Sequence, residues 1–144
     1  MKANWEKIKL GEGNKSVLEG VPASLPALVK ANRIQEKVAG VGFDWEHPDQ
    51  VLSKVKEELG ELDEAISDGN ADAMESELGD VFFSMVNFAR FLGLNPENAL
   101  ERTNKKFIHR FRFLESSAGE AGKKLSEMSL AEMDQYWEAA KKQE

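Results

Sequence analysis

The sequence predicts an all-α protein built from five helices. Capping residues, prolines and glycines divide the chain into segments of helical length. Within these segments apolar residues recur every three or four positions, and no run of four to eight residues alternates apolar and polar side chains as a half-buried strand would. A chain of 144 residues has the length of one ordinary domain and can bury a core without disulfides.

The helices are placed by their start and stop residues. Pro48 suits the first turn of a helix, Asn70 and Ser129 suit the N-cap position, and Gly93 suits the residue after a helix end. Ser129 also has Glu132 three positions later, which is the spacing of a capping box. We expect helices over residues 24–39, 48–67, 70–92, 96–115 and 129–142, with Ser24 as the first cap and Pro26 in that helix's first turn.

Two segments are predicted to lie outside these helices. Residues 1–20 mix Lys, Glu and Gly and are expected to form a solvated arm or linker ahead of a single domain over residues 21–144. Residues 115–128 are rich in Ser, Gly and Lys and are expected to form a loop. The arm has no apolar run typical of a signal peptide, and no segment reaches the roughly 18 apolar residues of a membrane span. We therefore expect a cytoplasmic protein with no membrane partner.

The charge and cysteine content exclude several classes of site. The chain has a net charge of −7 and no cysteine. It therefore has no disulfide scaffold, thiolate zinc site or cysteine nucleophile. The acidic surplus without a basic run argues against a nucleic-acid partner, since phosphate contacts need clustered Lys and Arg. A phosphate-bearing small molecule remains compatible with this charge if metal ions intervene.

Apolar stripes in the second and third helices predict how they pack. At helical spacing each helix carries an apolar stripe, which we expect to point to a core. The second helix contributes Leu52, Val55, Leu59, Leu62 and Ile66, and the third contributes Leu78, Val81, Phe82, Met85, Ala89 and Leu92. Lines of polar and acidic residues flank both stripes.

Two acid pairs on these flanks indicate a metal site. Glu58 and Glu61 on the second helix, and Glu77 and Asp80 on the third, are each spaced i, i+3 around a mid-helix glycine. An acid pair on a helix is usually a solvated face, but the near-repeated surroundings and the glycines, each costing about 1 kcal/mol relative to alanine, favour a site. Carboxylates without histidine or thiolate suit Mg²⁺, with Mn²⁺ as a substitute. A di-iron site would need Glu-x-x-His pairs, which are absent from the sequence.

The fourth predicted helix carries the opposite charge. Arg102, Lys106 and Arg110 recur every four residues along one line, with Phe107 on the packing side. Alone, this line would be interpreted as a solvated basic face. Beside a magnesium-loaded acid cluster, it is what a polyphosphate requires, because metals bridge phosphoryl oxygens and cations neutralise the leaving group.

These residues resemble a known family. Glu57-Glu58-Leu59-Gly60-Glu61, followed by Glu77-Leu78-Gly79-Asp80, resembles the EExxE…ExxD signature of the MazG nucleoside triphosphate pyrophosphohydrolases. SLPALVKANRIQEKVAGVGFDW (24–45), GDVFFSMVNFARFLG (79–93), NKKFIHRF (104–111) and SLAEMDQYW (129–137) resemble the catalytic C-terminal half of two-domain bacterial MazG proteins. The resemblance covers nearly the whole chain from about residue 21.

The resemblance implies a set of site residues. Mg²⁺ ligands are implied at Glu58, Glu61, Glu77 and Asp80, with Asp80 also beside the nucleotide. The resemblance also implies that the segment from Lys54 to Glu58, including Glu57, forms one edge of the nucleotide site. Further nucleotide or phosphate contacts are implied for Lys106, Phe107, Arg110 and Trp137. From its spacing with Leu130 and Met133 alone, Trp137 would more often be a packing residue. Both interpretations of Trp137 remain open at this point.

A homodimer is also expected. The family forms dimers whose helices complete a four-helix bundle, and the third helix is apolar almost all round from Val81 to Leu92. The other four helices of a chain this short could hardly cover every side of it, and such a helix is either central or at an obligate interface.

The function implied is Mg²⁺-dependent hydrolysis of nucleoside triphosphates between the α- and β-phosphates, giving a nucleoside monophosphate and pyrophosphate. Glu61 is expected to be essential, and Glu57 is the candidate to orient or deprotonate the attacking water. Two alternatives remain open. One is a narrower relative acting on dUTP, dCTP or a phosphoribosyl-ATP, and the other is a non-catalytic helical interaction module.

Overall fold

The computed structural model describes residues 16–144, and all regular structure in that range is helical. A 3₁₀ turn at Leu125–Glu127 precedes the last helix. The predicted all-α class is confirmed, with no strand in the described range. The first fifteen residues of the predicted arm lie outside it. The five helices are α1 (Ala27–Ala39), α2 (Pro48–Asp68), α3 (Ala71–Phe91), α4 (Pro96–Glu120) and α5 (Leu130–Lys142).

Most of the predicted helix ends are confirmed. The Asn70 side chain accepts a hydrogen bond from the Ala73 N–H at 3.1 Å and caps α3. Ser129 and Glu132 form the predicted capping box at the start of α5. Gly93 follows α3 with φ of 74°, the left-handed conformation that glycine adopts without strain. These local signals work because each satisfies a backbone group that the helix itself leaves unpaired.

Two boundaries differ from the prediction. The first helix begins at Ala27 and not at Ser24, since Leu25 precedes Pro26 and the residue before a proline is driven away from helical backbone angles. The fourth helix runs to Glu120, five residues beyond its predicted end. Ala118, in the segment predicted as a loop, is only 1% exposed, and its burial outweighs the weak helical preference of the neighbouring Ser and Gly residues.

The chain divides into two compact units, one ending at Glu97 and the other spanning Asn98–Glu144. In the first unit, α2 and α3 pack against each other across the turn at Gly69 and Asn70, and α1 packs against α3. In the second unit, Phe107 of α4 contacts Trp137 of α5, with ring centroids 4.9 Å apart. The candidate residues for binding metal all belong to the first unit.

The packing faces of α2 and α3 agree only in part with the prediction. Leu59, Ile66, Phe82 and Met85, expected in the core, are exposed in the chain, with Phe82 57% exposed. Leu78 and Leu92 are exposed as well. Val55 and Val81 of the predicted stripes are buried, as are residues of the flanking lines and their neighbours: Val51, Glu58 and Ala65 on α2, and Ser84, Val86 and Asn87 on α3. An apolar stripe predicts which helix face is buried, but it does not show whether that face is covered by the same chain or by another molecule.

None of the helices in residues 16–144 combines the length and the apolar character needed to cross a membrane.

Candidate active site

Three of the four predicted metal ligands form a compact cluster between α2 and α3. Each of Glu58, Glu77 and Asp80 offers a carboxylate oxygen, and these oxygens all lie within 4.8 Å of one another. Glu58 is buried, Glu77 is half-buried and Asp80 is exposed. The i, i+3 spacing on α3 places Glu77 and Asp80 on one side of that helix, where they face Glu58 on α2. The cluster therefore has a buried end and an open end.

The buried end of the cluster lacks hydrogen-bond donors. Within the described chain, Glu58 Oε2 and Glu77 Oε2 are both shielded from solvent and accept no hydrogen bond. Such orphaned acceptors cost about 1–3 kcal/mol each, and more when charged. A divalent cation would satisfy both at once, and an all-oxygen donor set suits Mg²⁺ or Mn²⁺. The residues present therefore fit the metal that their pattern predicted.

Glu61, the fourth predicted ligand, lies beside Glu77. Burial raises the pKa of Glu77, and the neighbouring carboxylates of Glu61, Asp80 and Glu58 raise it further. Glu61 is exposed and is not part of the three-residue cluster. All four predicted acids are nevertheless close enough to influence one titrating group. Such crowding of like charges disfavours the ionised site until a cation is present.

Lys54 lies at the edge of the acid cluster. Its Nζ atom is 3.0 Å from Glu58 Oε1 and 3.4 Å from Glu57 Oε2. The hydrogen bond to Glu58 is the main reason that the pKa of Lys54 is raised. Glu57, the candidate to orient water, has a 55% exposed side chain and lies outside the metal-ligand cluster. Lys54 thus places one positive charge beside Glu57 and Glu58.

The predicted residues of the second unit also come together. Arg110 donates two hydrogen bonds to the Glu144 carboxylate, both at 2.7 Å, and lies 5.8 Å from the centre of the Trp137 ring. This pairing raises the pKa of Arg110 and lowers that of Glu144. Phe107 contacts the same Trp137 ring, while Lys106 is exposed. Trp137 therefore packs against α4, as its spacing predicts, and does so beside a predicted phosphate contact.

The sequence did not predict a cavity of about 510 Å³ in the first unit. Gln35 on α1, Asp44 in the α1–α2 loop, and Asn87 and Arg90 on α3 line it. Asn87 shares a helical line with Glu77 and Asp80, so its position could have been found from the spacing. Gln35 gave no signal, because a single glutamine in a helix is ordinarily a surface residue.

Crowded carboxylates on two facing helices, with a buried oxygen of Glu58 and of Glu77 lacking a donor, are the donor set typical of all-helical proteins that bind divalent metals through oxygen ligands. Residues 46–112 match the MazG nucleotide pyrophosphohydrolase domain, and this match includes all four acids. The resemblance to the MazG family that the sequence motifs predicted is therefore confirmed.

Relatives in three bacteria extend the similarity over nearly the whole chain. A Thermotoga maritima protein named nucleoside triphosphate pyrophosphohydrolase/pyrophosphatase MazG is 42% identical over 140 residues, which cover 95% of this chain and 54% of that protein. The nucleoside triphosphate pyrophosphohydrolase of Escherichia coli K12 is 39% identical over 99% of this chain and 56% of its own length. A Bacillus subtilis protein named uncharacterized protein YabN is 45% identical over 99% of this chain and 30% of its own length. The chain spans about half the length of the two named pyrophosphohydrolases.

Proposed function

We propose that this chain is a Mg²⁺-dependent pyrophosphohydrolase that cleaves nucleoside triphosphates between the α- and β-phosphates. One observation carries the proposal: a carboxylate cluster on α2 and α3 whose buried oxygens, Glu58 Oε2 and Glu77 Oε2, lack donors. The names of the two pyrophosphohydrolase relatives support the reaction class. The products would be a nucleoside monophosphate and pyrophosphate.

The acids would have separate roles. Glu58, Glu61, Glu77 and Asp80 would hold Mg²⁺, with Mn²⁺ as a substitute. Bound there, the metal supplies positive charge that stabilises phosphoryl oxygens and lowers the pKa of water. Glu57 is exposed beside the cluster and is the candidate to orient or deprotonate the attacking water.

The basic and aromatic residues would bind the nucleotide. Lys54 already pairs with Glu57 and Glu58, and it would turn toward phosphate once metal neutralises Glu58. Lys106 and Arg110 would hold the phosphate chain, which requires Arg110 to exchange Glu144 for a phosphate oxygen, since both offer bidentate acceptors. Phe107 and Trp137 would border the bound nucleotide.

The proposed active form is a homodimer. The large apolar residues exposed on α2 and α3 are the support for it, because many large apolar side chains exposed on two packed helices are typical of an interaction surface. A second copy would complete a four-helix bundle with the α2–α3 pair. The cytoplasmic location and the absence of a nucleic-acid partner stay predictions.

The activity is tested by Glu61→Gln, which keeps the side-chain shape and removes one negative charge from the cluster. We expect it to abolish Mg²⁺-dependent pyrophosphate release from a mixture of nucleoside triphosphates. Glu64→Gln, at an exposed acid of the same helix outside the cluster, is the matched control and should retain activity.

Two further readouts complete this experiment. Hydrolysis in ¹⁸O-labelled water, followed by mass spectrometry, shows whether the α- or the β-phosphorus is attacked, and label in the monophosphate supports α-attack. A side-by-side assay of dUTP, dCTP and phosphoribosyl-ATP separates a broad enzyme from a narrow one. Undiminished activity in Glu61→Gln would mean that the carboxylate site is misassigned.

A further inference from the structure

The cavity in the first unit adjoins the acid cluster along α3. Phe83 and Asn87 line it from positions three and seven residues beyond Asp80. At 1.5 Å per residue these positions lie about 5 and 10 Å along the helix axis from that acid. A nucleotide whose phosphates lie at the acids would span this separation with its ribose. The cavity is therefore within reach of the other end of the same molecule.

Aromatic side chains form the walls of the cavity. Phe43 and Trp45 come from the α1–α2 loop and Phe83 comes from α3. All three are exposed in the chain, Phe43 by 77%. Exposed aromatic faces around a concave space suit a planar heterocycle, because every nucleobase has a face that stacks on them.

An ion pair fixes the loop that carries two of these aromatics. Arg90 on α3 donates to both oxygens of Asp44, at 2.6 and 3.1 Å, and also to Asn87 Oδ1 at 2.8 Å. The two-point Arg90–Asp44 contact holds the loop against α3 and leaves the two charges satisfied by each other. Selectivity in the cavity would then come from a polar group outside this ion pair.

Gln35 supplies that group. Its Nε2 atom donates to the Phe83 carbonyl oxygen at 2.9 Å, which fixes the orientation of the side-chain amide. Its Oε1 atom is buried and has no hydrogen-bond donor in the described chain, although the residue is only 3% exposed and lines the cavity. The cavity therefore presents a fixed acceptor, and the ligand that satisfies it must bring a donor.

We infer that this cavity binds the base of the nucleoside triphosphate, and that Gln35 Oε1 selects bases that present an N–H donor. The inference rests on the proposed function and names a specificity-determining residue for it. Each common base carries an amino or imide N–H, so such a pocket accepts several bases. It discriminates against a ring that lacks the donor, because the buried acceptor is then left unpaired.

The test compares two ligands that differ only in this donor. The α,β-methylene analogues of ATP and of purine riboside triphosphate are titrated calorimetrically with Mg²⁺, the second lacking the 6-amino group. We expect the wild-type chain to bind the ATP analogue about tenfold more tightly, the worth of one well-placed hydrogen bond. In Gln35→Met the two affinities should become nearly equal. Gln135→Met, an exposed glutamine on α5, is the matched control and should preserve the tenfold difference.

Three outcomes overturn the inference. The two analogues could bind the wild type equally well, the difference in affinity could persist in Gln35→Met, or Trp137→Leu could remove the difference while Gln35→Met does not.

Circular dichroism checks that Gln35→Met folds without the hydrogen bond to the Phe83 carbonyl. If it does not, Trp45→Leu replaces it. That variant should weaken both analogues by the same factor, and unchanged affinities contradict base binding in the cavity. Because the analogues resist α–β cleavage, binding is measured independently of hydrolysis, so failure of ATP turnover contradicts the proposed function alone.

Discussion

Among single residues, Glu77 shows most clearly how the acid cluster destabilises the metal-free protein. Its carboxylate is half-buried, one of its oxygens accepts no hydrogen bond, and three other acids surround it. The pKa of Glu77 is raised for these reasons, so that this side chain holds its proton to higher pH in the folded chain than in the unfolded one.

This raised pKa predicts an unusual pH dependence of stability. The protonated Glu77 contributes stability that is fully present below the ordinary glutamate pKa and is lost as pH rises through the higher folded-state pKa. In EDTA, the unfolding midpoint of the wild type should therefore fall over that interval relative to Glu77→Gln, which keeps a neutral group. Thermal unfolding of both proteins from acid to neutral pH measures the difference. Added Mg²⁺ should raise the unfolding midpoint of the wild type again at the upper end of this pH range. Parallel curves of midpoint against pH for the two proteins would contradict the prediction.

Individual site residues could be predicted from the sequence where charged side chains recur at helical spacing. Glu58, Glu77 and Asp80 were found because i, i+3 acids around glycines form a recognisable pattern on a helix. Gln35 was not, because its importance depends on a carbonyl of α3 that is distant in the sequence. A polar residue acquires such a role only through tertiary contacts, which no local pattern encodes.

Among the helices, α2 and α3 each contain a mid-helix glycine, which lowers helix stability relative to alanine. No contact within the described chain explains why glycine is needed there. A Cβ atom built at Gly60 or Gly79 would meet no heavy atom within 4 Å in the described chain, the helix's own adjoining backbone apart. Close approach by a neighbouring helix of the same chain therefore does not account for either residue.

Alanine at these positions should stabilise the isolated chain. Gly60→Ala and Gly79→Ala should each raise the free energy of unfolding by about 1 kcal/mol, the difference in helix propensity. Gly69→Ala is the opposing control, since φ of 71° at Gly69 makes a side chain cost about 1–2 kcal/mol. Urea denaturation of the four proteins measures these changes. Destabilisation by Gly60→Ala or Gly79→Ala would instead indicate that a second copy or a ligand approaches that glycine.

Helix positions were more predictable than helix faces. Asn70 and Ser129 cap through contacts three residues away, so their signals are local and were detected. The end of α4 depends on the burial of Ala118, and a tertiary contact of this kind overrides Ser and Gly propensities. The exposed Phe82 was placed in the core because hydrophobic periodicity does not identify the surface that covers it.

For the molecule as a whole, the exposed apolar face of α2 and α3 predicts self-association. Phe82→Glu places a charge on this face and should weaken the dimer by about 30-fold or more, the loss typical of a central interface residue. Light scattering and sedimentation at micromolar concentration measure the mass. Leu130→Glu, at an exposed leucine on α5, is the matched control and should leave the mass unchanged. A monomeric wild type would remove the dimer from the proposal.

The turn at Gly69 and Asn70 also affects how the protein folds. It joins the two acid-bearing helices directly, so that Glu58 and Glu77 are only about twenty positions apart in the chain. Contacts between segments so close in sequence form early in folding. The carboxylates would then repel one another in the transition state as well as in the finished protein. A divalent cation should accordingly speed refolding more than it slows unfolding, and stopped-flow kinetics with and without Mg²⁺ separate the two effects.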